Sequence, residues 1–244
     1  RPGQDLLLQA MSGMAMLSGD GASAPTPVGS AIVDQHAAVL AAFGIVAALH
    51  QRQHTGEGSM VESNLLNAAL DLQIEPFTYF LNKGPLWRRS SPAMGSRFHP
   101  APYGVYRTSD GWIAISLTST AKLAAAFDSS ELGAFSGPND QVLHRDAIHQ
   151  LVASALLERT TADAMHAFDE QDIWYAPVND YDQVADDAQV KHNGVVMEAE
   201  YPQAGLVRLM AHPVRYNGKA PAMRRLPPRS EEHTSELQSP MFIS

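Results

Sequence analysis

The chain has 244 residues and a formal charge of -9, with 45% apolar residues, 18% charged residues and no cysteine. That length buries one large core or two modest ones, and the composition is too apolar for a disordered chain. Scattered Lys and Arg exclude a phosphate-tracking nucleic-acid face, and the lack of Cys excludes disulfides, thiolate metal sites and Cys nucleophiles. A reducing, cytoplasmic setting fits that usage.

The start, Arg1-Pro2-Gly3-Gln4-Asp5, has no initiator Met and reads as mid-protein sequence running into a helix, so an N-terminally truncated fragment is expected. Residues 5–17 carry Leu6, Leu7, Ala10, Met11 and Met14 at helical spacing and stop at Ser18-Gly19-Asp20-Gly21, a turn cluster. Pro25 and Pro27 lead an extended segment to Val28. From Asp34 to about His54 the pattern predicts a helix apolar on nearly every side, destined for deep burial or a subunit interface. Its apolar run, residues 37–49, is shorter than the roughly 20 residues a bilayer span needs, and no membrane partner is expected.

Gly56 supplies a helix stop. Met60 and Val61 suggest a short strand, and residues 64–81 a second helix that Pro76 kinks or splits. Residues 83–100, rich in Pro, Gly, Ser and Arg, read as a linker. Residues 103–107 and 112–117 predict a hairpin around Thr108-Ser109-Asp110-Gly111. Two or three helices follow over 120–171, then a strand at 173–178 and a final pair at 195–200 and 206–210. Helices and strands mingle, which makes the class α/β or α+β. Residues 229–239, RSEEHTSELQS, resemble a translated sequencing-library adapter, so 229–244 is set aside as an artefact tail.

Most chemical signatures fail. His50 and His54 are four apart on one helix, yet no third ligand completes a metal site, and no metal is expected. Ser119-Thr120-Ala121-Lys122 matches S-x-x-K without its companion motifs, so Ser119 reads as a helix cap. No P-loop, G-x-G-x-x-G or G-x-S-x-G is present. Asp34 is different: it is a lone acid at the head of the apolar helix, after Val28-Gly29-Ser30-Ala31-Ile32-Val33. It could simply be the N-cap. The same position also keeps a half-buried carboxylate ionised and nucleophilic, because helix N-terminal N–H groups favour the anion.

An ordered set of short motifs resembles the class III CoA-transferase (CaiB/BaiF) family. They are Arg1-Pro2-Gly3-Gln4-Asp5-Leu6 with Gln9-Ala10-Met11-Ser12-Gly13, then Val28-Gly29, Val33-Asp34 and Thr55-Gly56-Glu57-Gly58. Ala68-Ala69-Leu70, Ala101-Pro102-Tyr103-Gly104-Val105-Tyr106, Asp110-Gly111-Trp112 and Ala176-Pro177-Val178 complete it. The resemblance implies the second part of a Rossmann-like, doubly wound large domain over 1–82. It also implies a linker over 83–100, a small α/β domain over 101–185 and a return segment over 186–228. It makes Asp34 the catalytic aspartate, with acyl-CoA and a small carboxylic acid as partners, coenzyme A as substrate and no further cofactor. Substrate contacts are implied at Gln4 and at a glycine-containing loop around Gly95, Ser96 and Arg97, and an interlocked homodimer for the full-length protein.

The family also contains acyl-CoA racemases, which need a His where this chain has Gln4. An amide takes up no proton near neutral pH, so the expectation is CoA transfer through aspartyl-acyl anhydride and aspartyl-CoA intermediates. A further alternative is that the fragment, lacking upstream CoA contacts, is inert by itself.

Overall fold

The computed structural model describes residues 3–84, 89, 95–202 and 204–223. The class is mixed helix and sheet. The described residues divide into two compact units, one up to residue 178 and the other from residue 179 to residue 223. The adapter-like stretch and most of 85–94 lie outside the described residues.

The first unit opens with helices. α1 (Asp5–Met11) is followed by a single 3-10 turn at Met14–Met16, so the predicted helix to residue 17 breaks at Gly13, whose φ of 84° is left-handed. α1 also turns an unexpected face inward. Asp5, Leu8 and Gln9 are buried, whereas Leu6, Leu7 and Met11 are exposed. α2 (Ile32–Thr55) ends at Gly56, left-handed at φ 76°, whose N–H returns to the Arg52 carbonyl at 2.9 Å.

The second predicted helix is two: α3 (Leu65–Asp71) and α4 (Ile74–Leu81). The break falls before Pro76, which then sits in the first turn of α4, where a missing N–H leaves no hydrogen bond unmade. Met60 and Val61 lie in coil, not in a strand. Leu8, Met14, Val33 and Ala69 form the small core between these helices.

The burial expected for α2 is not found. Of its 24 residues Val33 is buried, while Val39, Phe43 and Val46 are at least 63% exposed. With a mean hydropathy of 1.8 in its most apolar window, α2 is also long and apolar enough by composition to cross a membrane. The length estimate from residues 37–49 misses this because it stops short of the helix ends. In the fold, Val33 instead anchors α2 among α1 and α3.

The larger core belongs to a three-stranded antiparallel sheet of β1 (Gly104–Arg107), β2 (Trp112–Ile115) and β3 (Tyr175–Pro177), in that order. The Thr108 hydroxyl accepts from Gly111 N–H at 2.9 Å and tightens the β1–β2 turn. Strand alternation puts Tyr106, Ile113 and Ile115 on one face, against Leu123 and Phe127 of α5 (Thr120–Phe127) and Ile148, Val152 and Leu156 of α8 (Arg145–Leu157). Phe168 of α9 (Thr161–Glu170) closes that core. Two four-residue helices, α6 (Ser130–Gly133) and α7 (Asp140–Leu143), intervene, so the span resolves into five helices where two or three are expected. Ser119 caps α5, accepting from Lys122 N–H at 3.3 Å, and the Lys122 ammonium donates to the Asp172 carbonyl at 2.7 Å.

The second unit holds α10 (Tyr181–Asp186), α11 (Ala188–Asn193) and an antiparallel hairpin of β4 (Val196–Tyr201) and β5 (Gly205–Met210). Asp180 and Gln183 form a reciprocal capping box on α10.

Candidate active site

Asp34 is the third residue of α2, and the N-cap position belongs to Ala31. The capping reading therefore fails for Asp34 itself. The cap comes from 28 residues upstream: Asp5 Oδ2 accepts from Val33 N–H at 2.8 Å and from Asp34 N–H at 3.0 Å. Ile32 N–H reaches the Ser30 carbonyl at 2.8 Å, and Gln35 N–H the Ala31 carbonyl at 3.0 Å. The amides of Ile32, Val33 and Asp34, the first three of α2, are thus satisfied. Those three are not open to an oxyanion, which needs other donors.

The Asp34 side chain is exposed, one position round the helix from the fully buried Val33. Among the described residues its carboxylate makes no hydrogen bond or ion pair. His36, two residues on, is drawn to α3, with Nε2 2.7 Å from Asp71 Oδ2. Gln4 is the N-cap residue of α1, exposed and making no side-chain capping bond. Because its neighbour Asp5 binds the Asp34 amide, Gln4 and Asp34 come to the same end of the helical layer.

Asp5 is a buried carboxylate with a full set of donors. Burial works to raise its pKa, but hydrogen bonds from the Gln9 side chain and from the Asp34 and Val33 amides outweigh it and hold the pKa below the usual value. Gln9 Nε2 donates to Asp5 Oδ1 at 2.5 Å, while Gln9 Oε1 accepts from Val28 N–H at 2.8 Å.

The model of CoA-transferase family III matches residues 1–234. The chain belongs to that family.

This family III chain is 27% identical over 243 residues to the succinyl-CoA:glutarate CoA-transferase of Mus musculus, covering 97% of the chain and 55% of the relative. It is 26% identical to the succinyl-CoA:mesaconate CoA-transferase of Haloarcula marismortui, covering 97% of the chain and 60% of the relative. The succinyl-CoA--L-malate CoA-transferase beta subunit of Chloroflexus aurantiacus is 28% identical, with coverage of 97% and 60%. The chain thus spans little more than half the length of these relatives. A solved CaiB/BaiF family protein from Brucella suis superposes with a TM-score of 0.74 at 22% identity, covering 98% of this chain and 62% of that one. Rv3272 from Mycobacterium tuberculosis gives a TM-score of 0.75 at 21% identity, covering 96% and 63%.

The second predicted cluster of the family III chain lies on the sheet. Gly95 N–H donates to the Tyr103 carbonyl at 3.0 Å, and a Cβ at position 95 would lie only 3.0 Å from the Tyr103 ring. A side chain there would push the Tyr103 ring aside by a few tenths of an ångström. Ser96 is buried; its carbonyl accepts from Arg145 Nη2 at 2.8 Å, while Arg145 Nε donates to the His99 carbonyl at 3.1 Å. Arg97 is half-buried in the same loop. Gly95, Tyr103, Val105, Ala114, Trp174 and Ala176 line a cavity of about 430 Å³ on the sheet face away from the core. The contacts of Gly95 and Ser96 run to Tyr103 and Arg145, not to the first turn of α2.

Asp5, Gln9 and Arg145 are not among the site residues expected from sequence, although Asp5 and Gln9 fall within the family motifs. For the first two a signal existed: an acid and an amide four apart on a helix that is otherwise apolar. Arg145 had none, because nothing local links it to residues 96–99. Among the described residues no group of three or more His, Asp or Glu converges as a metal site. His50 and His54 meet edge to face, ring centroids 4.8 Å apart.

Proposed function

We propose that this family III chain carries the nucleophile of an acyl-CoA:carboxylate CoA-transferase, with Asp34 as the reacting group. The single observation that supports this best is an exposed carboxylate with no partner among the described residues, on a helix turn whose Val33 and Asp34 amides are already filled. Such a group keeps its lone pairs for attack. The named activities of the relatives in Mus musculus, Haloarcula and Chloroflexus point to succinyl-CoA as donor and a small dicarboxylic acid as acceptor.

In the cycle we infer, an Asp34 oxygen attacks the thioester carbon, the C–S bond breaks and CoA leaves as thiolate. The thiolate then attacks the Asp34 carbonyl of the mixed anhydride, releasing the donor acid and leaving an Asp34–CoA thioester. The acceptor carboxylate attacks that thioester and expels the thiolate again. The thiolate takes the acceptor acyl group, and the Asp34 carboxylate is restored. No net proton is consumed, in keeping with Gln4 at the position where a racemase needs a base and with His36 engaged by Asp71.

The test is to incubate the protein with succinyl-CoA and map covalent mass on peptides. An adduct at Asp34, lost in Asp34→Ala together with transfer, is expected. Transfer retained in Asp34→Ala sinks the reading. Exchange of the α-proton of an acyl-CoA without an acceptor acid would favour racemisation instead.

A second reading concerns the chain by itself. The exposed apolar length of α2 and the partial span of its relatives support a catalyst completed by further sequence and by a second subunit, so this chain alone would bind CoA weakly. Micromolar CoA binding by the 244-residue chain in isothermal titration would remove that reading.

A further inference from the structure

We propose that Asp5 is a positioning residue for Asp34, acting with Gln9 as a two-residue bracket that keeps the reacting carboxylate free. The proposal rests on the reading of Asp34 as nucleophile. An aspartate in the first turn of a helix ordinarily folds back onto the unfilled N-terminal amides, which attract any nearby anion. Bound there, its oxygens would be spent on hydrogen bonds and poor at attacking a thioester. In this chain another anion already occupies those amides. Asp5, 8% exposed, takes both the Val33 and Asp34 N–H groups on Oδ2. The competition is settled by burial: Asp5 reaches the amides from inside the α1–α2 contact, and Asp34 is left on the outside with no partner among the described residues.

Gln9 makes the arrangement rigid. One helical turn beyond Asp5, its Nε2 holds Asp5 Oδ1 at 2.5 Å, which fixes the tilt of the carboxylate. Its Oε1 receives Val28 N–H at 2.8 Å, and Nε2 also lies 3.4 Å from the Val28 and Ser30 carbonyls. The same α1 face therefore locates both the segment entering α2 and the first turn that bears Asp34. This accounts for the inverted face of α1, where two polar side chains are buried while Leu6, Leu7 and Met11 remain outside. Of the three leucines only Leu8 shares the buried face with Asp5 and Gln9.

The test compares Asp5→Ala, Asp5→Asn, the pair Asp5→Asn with Gln9→Glu, and Leu123→Ala as a core control away from α1 and α2. It is run in whichever form transfers CoA, this chain or the protein at its relatives' length. Asp5→Ala opens the amides to Asp34, so kcat should fall about a hundredfold, as positioning losses do, while KM for the acyl-CoA stays within about twofold. Asp5→Asn keeps a neutral acceptor at the amides and should fall less. The paired swap returns an anion to the bracket with matching donors and acceptors, and should recover about tenfold over Asp5→Asn. Leu123→Ala, in the separate sheet-and-helix core, should lower Tm with kcat kept.

Adduct formation at Asp34 with unchanged kcat in Asp5→Ala overturns the proposal and leaves the nucleophile standing. So does a kcat loss of the same size in Leu123→Ala at an equal fall in Tm, or a swap without recovery. A wild-type protein that forms no Asp34 adduct overturns the nucleophile reading, and the proposal with it.

Discussion

Acid should destabilise the sheet-and-helix core through His149. The imidazole is fully buried on α8, its Nδ1 2.5 Å from the Tyr106 hydroxyl and its Nε2 without a hydrogen-bond partner among the described residues. Burial first, then the charge of Arg145, draws its pKa from 6.5 to about 4, against an opposing pull from Asp146. The unfolded chain thus takes up a proton below pH 6.5 that the folded chain refuses until about pH 4. A depressed folded pKa of this kind gives stability that is present above the unfolded value and is lost as pH falls toward the folded one. The shift from 6.5 to about 4 corresponds, at about 1.36 kcal/mol per unit, to about 3 kcal/mol. Most of that loss, between about 2 and 3 kcal/mol, should be complete by about pH 4.5. That is a large part of the roughly 5–15 kcal/mol that holds a domain folded. The comparison is urea unfolding followed by tryptophan fluorescence from pH 7.5 to 4.5 in the wild type and in His149→Phe. Phe keeps a ring in place and carries no proton, and the Tyr106 hydroxyl keeps its bond to the Pro102 carbonyl at 2.6 Å. The wild type should lose that much more stability than the variant over this range. Equal pH slopes in the two proteins would refute the reasoning.

Arg145→Met should cost about 2–4 kcal/mol, because it strips charged donors from the Ser96 and His99 carbonyls, and thermal unfolding reads it directly. A change under about 0.5 kcal/mol would mean that the loop holds itself without Arg145. Ser119→Ala should cost about 1 kcal/mol as a lost cap and leave any Asp34 adduct untouched; a lost adduct would revive the S-x-x-K motif as chemistry. Phe43→Gln with Val46→Gln should reduce self-association of the 244-residue chain in sedimentation, since both side chains stand in the exposed stripe of α2. An unchanged mass distribution would show that this stripe is not the contact.

Local signals were legible wherever chemistry and structure are settled by near neighbours. The Gly56 stop, the Thr108–Gly111 turn and the Ser119 cap each need contacts only a few residues apart, and each is found where the sequence indicates. The strands at 104–107, 112–115, 196–201 and 205–210 likewise fall within one or two residues of expectation. Helix count over 120–171 was less legible, because the two short helices α6 and α7 depend on caps and packing too brief to leave a period. The direction in which α1 faces was misread for a physical reason. Periodicity assumes that apolar residues go inward, whereas the buried face here pairs Leu8 with two hydrogen-bonding side chains at positions 5 and 9 and leaves Leu6 and Leu7 outside.

The sequence by itself determined the family, through short motifs in a fixed order, and marked Asp34 as the acid at the head of an apolar helix. Only the tertiary structure decided what surrounds it. Whether Asp34 caps its helix or stands free depends on whether another anion reaches the same amides. That anion is Asp5, brought there across 28 residues by the packing of Leu8 and Val33. A hydrogen bond between residues so far apart leaves no spacing to read. It follows from the fold, and it converts a routine helix-end aspartate into one with nothing left to bind among the described residues.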